Sequence, residues 1–136
     1  MSKISVSIQL AASAERVWQM VGGFNSMPDW CRSISNSTLH EGGRVRRLET
    51  ADGAVIVERL ETFSEAERRY SYSIVAAPLP VTNYHAALRV GEGESACAVE
   101  WSSTFYAAAE DEERIVATLR QIYQGGLDDL KRALGA

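Results

Sequence analysis

The chain has 136 residues, 46% hydrophobic and 24% charged, a balance typical of one globular domain spanning residues 1–136. Its net charge of -4 disfavours the broad basic surface that binding to nucleic acid or an anionic membrane requires. Because there are only two cysteines, Cys31 and Cys97, we expect free buried thiols, with a catalytic thiol as the less favoured alternative. The N-terminal residues form no charged and apolar leader, so we expect a cytoplasmic protein.

The N-terminal quarter of the sequence predicts one strand and two short helices. Residues 3–10 alternate between apolar and polar side chains, which is the two-residue period of a half-buried strand. Ser13 is a suitable N-cap for a helix over residues 14–21, and two glycines follow that helix. The segment 24–34 contains Pro28 and Trp30 and predicts a second, shorter helix.

Residues 35–108 predict about six further strands in an antiparallel meander, separated by turn-rich segments. Four acidic residues then precede a predicted helix over about 110–133, whose apolar stripe comprises Ile115, Leu119, Ile122, Tyr123, Leu127, Leu130 and Leu134. One helix of this length has to cover the apolar face of the whole sheet. We therefore expect the sheet to curl around the helix and to leave a cavity between them.

In this order the elements resemble the helix-grip fold of the START and Bet v 1 superfamily, and most closely its polyketide cyclase/dehydrase branch. The resemblance is carried by Val17-Trp18, Trp30, Gly43 with Arg46, Glu58-Arg59-Leu60, Tyr72 to Val75, Pro78-Leu79-Pro80, Tyr84, Trp101 with Phe105, Tyr123, Gly126-Leu127 and Leu130-Lys131. It covers essentially the whole chain. It implies an α+β fold with about seven antiparallel strands wrapped around a long C-terminal helix. Superfamily members include carriers, cyclases and chaperone regulators, so the resemblance leaves the activity open.

Arg46 and Glu58 are the most informative polar pair in the sequence. If residues 51–53 form a three-residue hairpin loop with Gly53 in the left-handed conformation, Arg46 faces Glu58 across the two strands. The same face carries the apolar residues Leu48, Ile56 and Leu60. The pair is therefore expected to point inward, either as a structural ion pair or as a polar anchor for a ligand. In the second interpretation the arginine donates to the ligand and the glutamate accepts.

Two later hairpins place more aromatic side chains on the same face. The predicted cross-strand pairs are Leu60 with Tyr72, Val90 with Cys97, Leu88 with Val99, Ala86 with Trp101, and Tyr84 with Ser103. Such aromatics form either the core or the wall of a cavity, and their buried hydroxyls need hydrogen-bond partners. His85 alternates with this set and is expected to face outward. It and His40 are the only histidines, so we expect no metal site and no cofactor.

Two local features favour a cavity without requiring it. Gly125-Gly126 lies within the predicted long helix, where glycine is unfavourable, and indicates either a close helix-to-sheet contact or a widened cavity. Pro78-Leu79-Pro80 stiffens the connection between two strands. It is either a rigid crossover or one lip of a cavity mouth that faces Met27 and Trp30, with Leu79 or Val81 against the ligand.

The sequence thus predicts a protein, monomeric or homodimeric, that binds a small hydrophobic or amphipathic, cyclic or aromatic molecule. The predicted lining comprises Trp30, Arg46, Glu58, Tyr72, Tyr84, Trp101 and Tyr123, with Pro78, Leu79 and Pro80 at the mouth. One alternative is a cyclase, dehydratase or isomerase in which Glu58 acts as acid or base and Arg46 or Tyr72 stabilises an oxyanion. A further alternative is a protein-interaction module.

Overall fold

A computed structural model describes residues 1–136, and its seven strands form one antiparallel, curved sheet with a long C-terminal helix. The elements are β1 (Ser2–Leu10), α1 (Ala14–Val21), α2 (Met27–Trp30), β2 (Ile34–His40), a 3-10 turn (Glu41–Gly43), β3 (Val45–Thr50), β4 (Val55–Ser64), β5 (Arg69–Ala76), β6 (Thr82–Gly91), β7 (Cys97–Tyr106) and α3 (Ala109–Leu134). The strand order is β1-β7-β6-β5-β4-β3-β2. The predicted α+β helix-grip fold is confirmed. None of the helices combines the length and apolar character needed to cross a membrane.

The start of α1 forms as its sequence predicts. The Ser13 hydroxyl accepts a hydrogen bond from the backbone N–H of Arg16 at 3.1 Å, which satisfies one of the free donors of the first turn. The helix ends at Gly22, where an added Cβ would lie 2.6 Å from the Trp18 ring. Glycine therefore allows the chain to turn closely over the indole and lead into α2.

The buried stripe of α3 differs from the predicted one at two positions, because it includes Gly126 and leaves out Ile122. Its buried members are Ile115, Leu119, Tyr123, Gly126, Leu127, Leu130 and Leu134. Ile122 is 48% exposed, so its assignment to the core was wrong. Consecutive helical residues are rotated by about 100°, and once Tyr123 points into the sheet Ile122 lies at the margin of the buried face.

The β3–β4 hairpin has the predicted register. Arg46 pairs with Glu58 and Leu48 with Ile56, and Gly53 in the loop has a φ of +91°. A left-handed residue at this point of the loop fits the three-residue hairpin and is accessible to glycine. The interpretation that both charged side chains point inward is confirmed by their burial.

The predicted Leu60–Tyr72 pair between β4 and β5 is also present, but the register of β6 and β7 was wrong by two residues. Trp101 pairs with Leu88 and Ser103 with Ala86. In the hairpin loop that joins β6 and β7, the Glu94 N–H donates to the Gln9 side chain of β1 at 2.9 Å. A slip of two residues leaves each side chain on its original face, so the inward set is unchanged.

Both cysteines are free and buried, as expected. Burial raises the pKa of the Cys31 thiol and that of the Cys97 thiol, which favours the unreactive protonated form. His85 is exposed on the outer face of the sheet, in agreement with its predicted direction.

Candidate ligand site inside the helix grip

The Arg46 side chain is completely buried, and its nitrogens face protein groups. Nε donates to Oε1 of Glu58 at 2.8 Å, and Nη1 donates to the backbone carbonyl of Phe24 at 2.9 Å. Nη2 is 2.7 Å from the same Oε1 and is sealed from solvent, without the alignment of a hydrogen bond. In this arrangement every guanidinium nitrogen of Arg46 faces a protein group, so direct donation from Arg46 to a ligand stays a prediction.

Three aromatic rings enclose the guanidinium of Arg46. Its Cζ lies 4.3 Å from the ring centroid of Phe24, 5.0 Å from that of Tyr72 and 5.7 Å from that of Tyr70. Cation–π attraction offsets part of the cost of removing the charge from water. Burial by itself would lower the pKa of Arg46, but Tyr70, Glu58 and Tyr72 outweigh that effect and hold it above its usual range. The arginine therefore remains charged.

Glu58 is the partner with an unused atom. Its two carboxylate oxygens differ, because Nε of Arg46 donates to Oε1 and Nη2 lies 2.7 Å from the same oxygen, whereas no protein group donates to Oε2. The residue is only 6% exposed, yet Oε2 is not among the atoms sealed from solvent. Burial raises the pKa of Glu58, and Arg46 opposes that rise without cancelling it. The ion pair thus leaves one acceptor, Oε2 of Glu58, without a protein donor, and one buried donor, Nη2 of Arg46, without an aligned acceptor.

A second group of polar atoms surrounds Trp101. The Trp101 indole N–H donates to the Tyr72 hydroxyl at 3.0 Å, and its ring stacks on Tyr123 with centroids 4.4 Å apart. The hydroxyls of Tyr123 and Tyr84 are hydrogen-bonded to each other. Burial raises the pKa of Tyr72 and that of Tyr84, so both phenols stay protonated at neutral pH.

Trp30 of α2 packs against this aromatic group. Its ring meets Trp101 edge to face, with centroids 5.9 Å apart. Its indole N–H is buried, and no protein acceptor lies within hydrogen-bonding reach. A buried donor left unpaired costs free energy, which makes this position unusual for a residue of a simple core.

The structure brings all seven predicted lining residues into one contiguous cluster, which we call the inner cluster: Trp30, Arg46, Glu58, Tyr72, Tyr84, Trp101 and Tyr123. In this conformation their side chains contact one another across the space between sheet and helix. The principal clefts of the molecule lie outside the cluster, so the expectation that these residues line the main cavity between sheet and helix is wrong for this conformation, because their side chains fill that space. Contact of these residues with a ligand stays a prediction, and it requires the side chains to move apart.

An apolar cleft of about 370 Å³ opens beside the inner cluster. Its apolar walls are Ile34, Ile56 and Ile122, and the rim is the β3–β4 loop with Asp52. Ile56 and Glu58 are successive inward-facing residues of β4, about 6–7 Å apart along the strand. The cleft therefore extends to Ile56, the inward-facing residue next to Glu58 on β4. Sequence reasoning missed it because Ile122 matches the helical core period, and only its position relative to the hairpin reveals the opening.

The proline segment directs its aliphatic residues toward the core. Leu79 and Val81 are half-buried against the core, whereas Pro78 and Pro80 are exposed. The Val81 N–H donates to the Leu79 carbonyl at 2.8 Å, which closes a tight turn over Pro80. The segment thus presents its two aliphatic residues inward from a rigid backbone. Its role as a lip that contacts a ligand stays a prediction.

The two glycines of α3 have different environments. A Cβ added to Gly126 would lie 2.8 Å from Cζ3 of Trp101, whereas one added to Gly125 would meet open space. Gly126 therefore permits the close helix-to-sheet contact that was one of its two interpretations.

The comparisons with known proteins agree with this architecture. A family model described as polyketide cyclase/dehydrase and lipid transport matches residues 1–135. The chain belongs to this polyketide cyclase/dehydrase and lipid transport family. No curated protein matches the chain.

Solved structures of similar proteins reproduce the fold over the whole family domain. An uncharacterized protein from Bacillus thuringiensis is 45% identical, with a TM-score of 0.95 and coverage of 99% of this chain and 100% of that one. The protein XoxI from Bacillus cereus is 47% identical, with a TM-score of 0.93 and coverage of 98% and 95%. Norcoclaurine synthase from Thalictrum flavum, solved with dopamine and hydroxybenzaldehyde, is 16% identical with a TM-score of 0.75 and coverage of 98% and 86%, and shows the fold alone.

Proposed function

We propose that this family member binds a small hydrophobic or amphipathic, cyclic or aromatic molecule between the concave face of the sheet and α3. The observation that carries the proposal is the buried Arg46–Glu58 pair, which lies within the aromatic inner cluster and keeps a free carboxylate oxygen. A buried ion pair seldom stabilises a fold more than well-packed apolar residues would. The unpaired Trp30 N–H supports the same conclusion, because a ligand acceptor would satisfy it.

The apolar cleft supplies the route to this site. A ligand entering past Ile122 and Ile56 meets Glu58 as the next inward-facing residue of β4. Trp30 and Trp101 then have to separate to make room for it. Their indole rings are flat, and parting them exposes the kind of surface on which an aromatic or polycyclic skeleton stacks.

Titration with the neutral fluorescent probe N-phenyl-1-naphthylamine tests the proposal directly. Binding should enhance probe fluorescence and quench that of Trp30 and Trp101. The quenching should persist in a Trp18→Phe variant, because Trp18 lies away from the inner cluster and donates its indole N–H to Glu65. Native mass spectrometry of the freshly purified protein would reveal any co-purified ligand. Absence of both probe binding and a co-purified molecule would contradict the proposal.

An enzymatic function is the second candidate, and the protonation states of two residues favour it. Burial raises the pKa of Glu58, which brings this carboxyl closer to the range where it can both accept and return a proton. Tyr72 stays protonated and accepts from Trp101, so its own O–H is a donor that an oxyanion could take over from the neighbouring Tyr84 hydroxyl. Turnover of a bound polyketide-like ketone that is lost in Glu58→Gln while binding persists would establish this function.

A further inference from the structure

We infer that the ligand is an uncharged molecule whose hydroxyl group donates to Oε2 of Glu58, and that Glu58 is the residue that sets this specificity. The inference rests on the proposed function and adds the chemical class of the ligand. In this inference Arg46 is a positioning residue: it holds the Glu58 carboxylate in place and does not contact the ligand.

Arg46 contacts one oxygen of the Glu58 carboxylate and leaves the other without a donor. Nε of Arg46 donates to Oε1 and Nη2 lies 2.7 Å from it, while Nη1 donates to the Phe24 carbonyl. The carboxylate is thereby fixed in orientation, with Oε2 as its one unused acceptor. A hydroxyl donated to an ionised carboxylate forms one of the stronger hydrogen bonds available in proteins.

The charges around the inner cluster and the cleft disfavour an anionic ligand. An anionic ligand would have to approach the Glu58 carboxylate while the nearest cation, Arg46, is enclosed by protein atoms and three rings. At the cleft rim it would also pass Asp52, whose carboxylate accepts from Thr50 and from the Ala54 N–H. No lysine or arginine is among the residues that line the cleft. The entrance and the acceptor thus both disfavour carboxylates such as fatty acids.

A cationic ligand is disfavoured for a different reason. Glu58 is already neutralised by Arg46 at 2.7 Å, so a buried ammonium group would add an unmatched positive charge close to the guanidinium. Oε2 and the aromatic rings would have to offset the desolvation of that charge while the Arg46 guanidinium repels it. A neutral donor satisfies Oε2 without changing the net charge of the site.

Three probes with one aromatic skeleton test the inference by calorimetry near neutral pH: 2-naphthol, 2-methoxynaphthalene and 2-naphthoate. We expect the naphthol to bind about tenfold more tightly than the methoxy compound, the difference made by one hydrogen bond to a charged acceptor. We expect the naphthoate to bind most weakly. In Glu58→Gln the advantage of the naphthol should shrink to about twofold, because the acceptor is then neutral.

These comparisons separate failure of the inference from failure of the proposed function. If none of the probes binds, the binding function itself is wrong and the inference falls with it. If all three bind, but the naphthol shows no advantage or the naphthoate is tightest, only the inference is overturned. The wild-type comparison needs no variant, and circular dichroism verifies that Glu58→Gln remains folded.

A surface variant supplies an independent test should Glu58→Gln fail to fold. Asp52 is exposed at the cleft rim, so Asp52→Asn should leave the core intact. We expect the variant to bind 2-naphthoate about twofold more tightly, relative to 2-naphthol, because removal of one exposed charge has a small effect. An unchanged affinity ratio would contradict the proposed role of the rim charge.

Discussion

Arg46 and Glu58 face each other across β3 and β4, and two arginine nitrogens converge on one carboxylate oxygen, 2.8 and 2.7 Å away. Oε1 of Glu58 is held by Arg46, whereas Oε2 has no protein donor. The pair therefore has a structural role in the fold and a proposed role in binding, and different variants affect the two.

Removing one partner of this pair should be far more harmful than replacing both. Arg46→Met leaves the Glu58 carboxylate buried without its counterion, so we expect a loss of about 3–5 kcal/mol in the free energy of unfolding. The double variant Arg46→Met/Glu58→Leu should recover most of that loss. Urea denaturation measures both values. Arg47→Met, which breaks the exposed pair with Glu49, is the matched control and should cost less than about 1 kcal/mol.

The stability difference between wild type and Glu58→Gln should depend on pH. Because burial raises the pKa of Glu58, its protonation favours the folded state, and this contribution is complete below the unfolded carboxyl pKa. It is lost as the pH rises through the folded pKa. We expect the difference to shift in favour of wild type as the pH falls from neutral toward about 4.3, measured by urea denaturation at several pH values. A shift in the opposite direction would show that Arg46 outweighs burial.

Replacing Gly125 or Gly126 of α3 with alanine should change the stability of the protein in opposite directions. Gly126→Ala forces a methyl group against the Trp101 ring and should destabilise the protein by about 1–3 kcal/mol despite the gain in helix propensity. Gly125→Ala meets open space and should stabilise it by about 0.5–1 kcal/mol. Thermal denaturation followed by circular dichroism measures both. Equal effects at the two sites would rule out the close contact over Trp101.

The apolar cleft should control the entry of apolar probes. Ile122→Gln places an amide in the cleft wall and should weaken N-phenyl-1-naphthylamine binding about three- to tenfold, the loss expected from about 1 kcal/mol of apolar contact. Val75→Gln is the matched control, since Val75 is 54% exposed and does not line the cleft. Both variants should unfold at similar temperatures. Equal loss of binding in the two would place the entrance elsewhere.

The stiff connection between β5 and β6 should matter more for binding than for stability. Replacing Pro78 and Pro80 with alanine and Leu79 with serine removes two fixed backbone angles and one inward aliphatic side chain. We expect probe affinity to fall by a larger free energy than the free energy of unfolding does. Titration and denaturation of the same variant compare the two. An unchanged affinity would mean that the segment is only a rigid crossover.

The sequence by itself determined the elements, their order and the face on which each strand residue lies. The inward direction of Arg46 and Glu58 follows from a two-residue alternation and from a loop length fixed by Gly53, and both are local properties. For the same reason the inward set survived the error in the β6–β7 register, because a slip of two residues does not change the face.

Tertiary structure decided what those inward residues can do. The Phe24 carbonyl that occupies Arg46 comes from the segment before α2, and the Trp101 ring that excludes a side chain at Gly126 comes from β7. Ile122 fits the helical period but lies at an opening, because the end of the β3–β4 hairpin leaves it uncovered. Periodicity fixes a direction, whereas the number of free hydrogen-bond donors and the space beside a side chain depend on segments distant in the chain, which meet only when it folds.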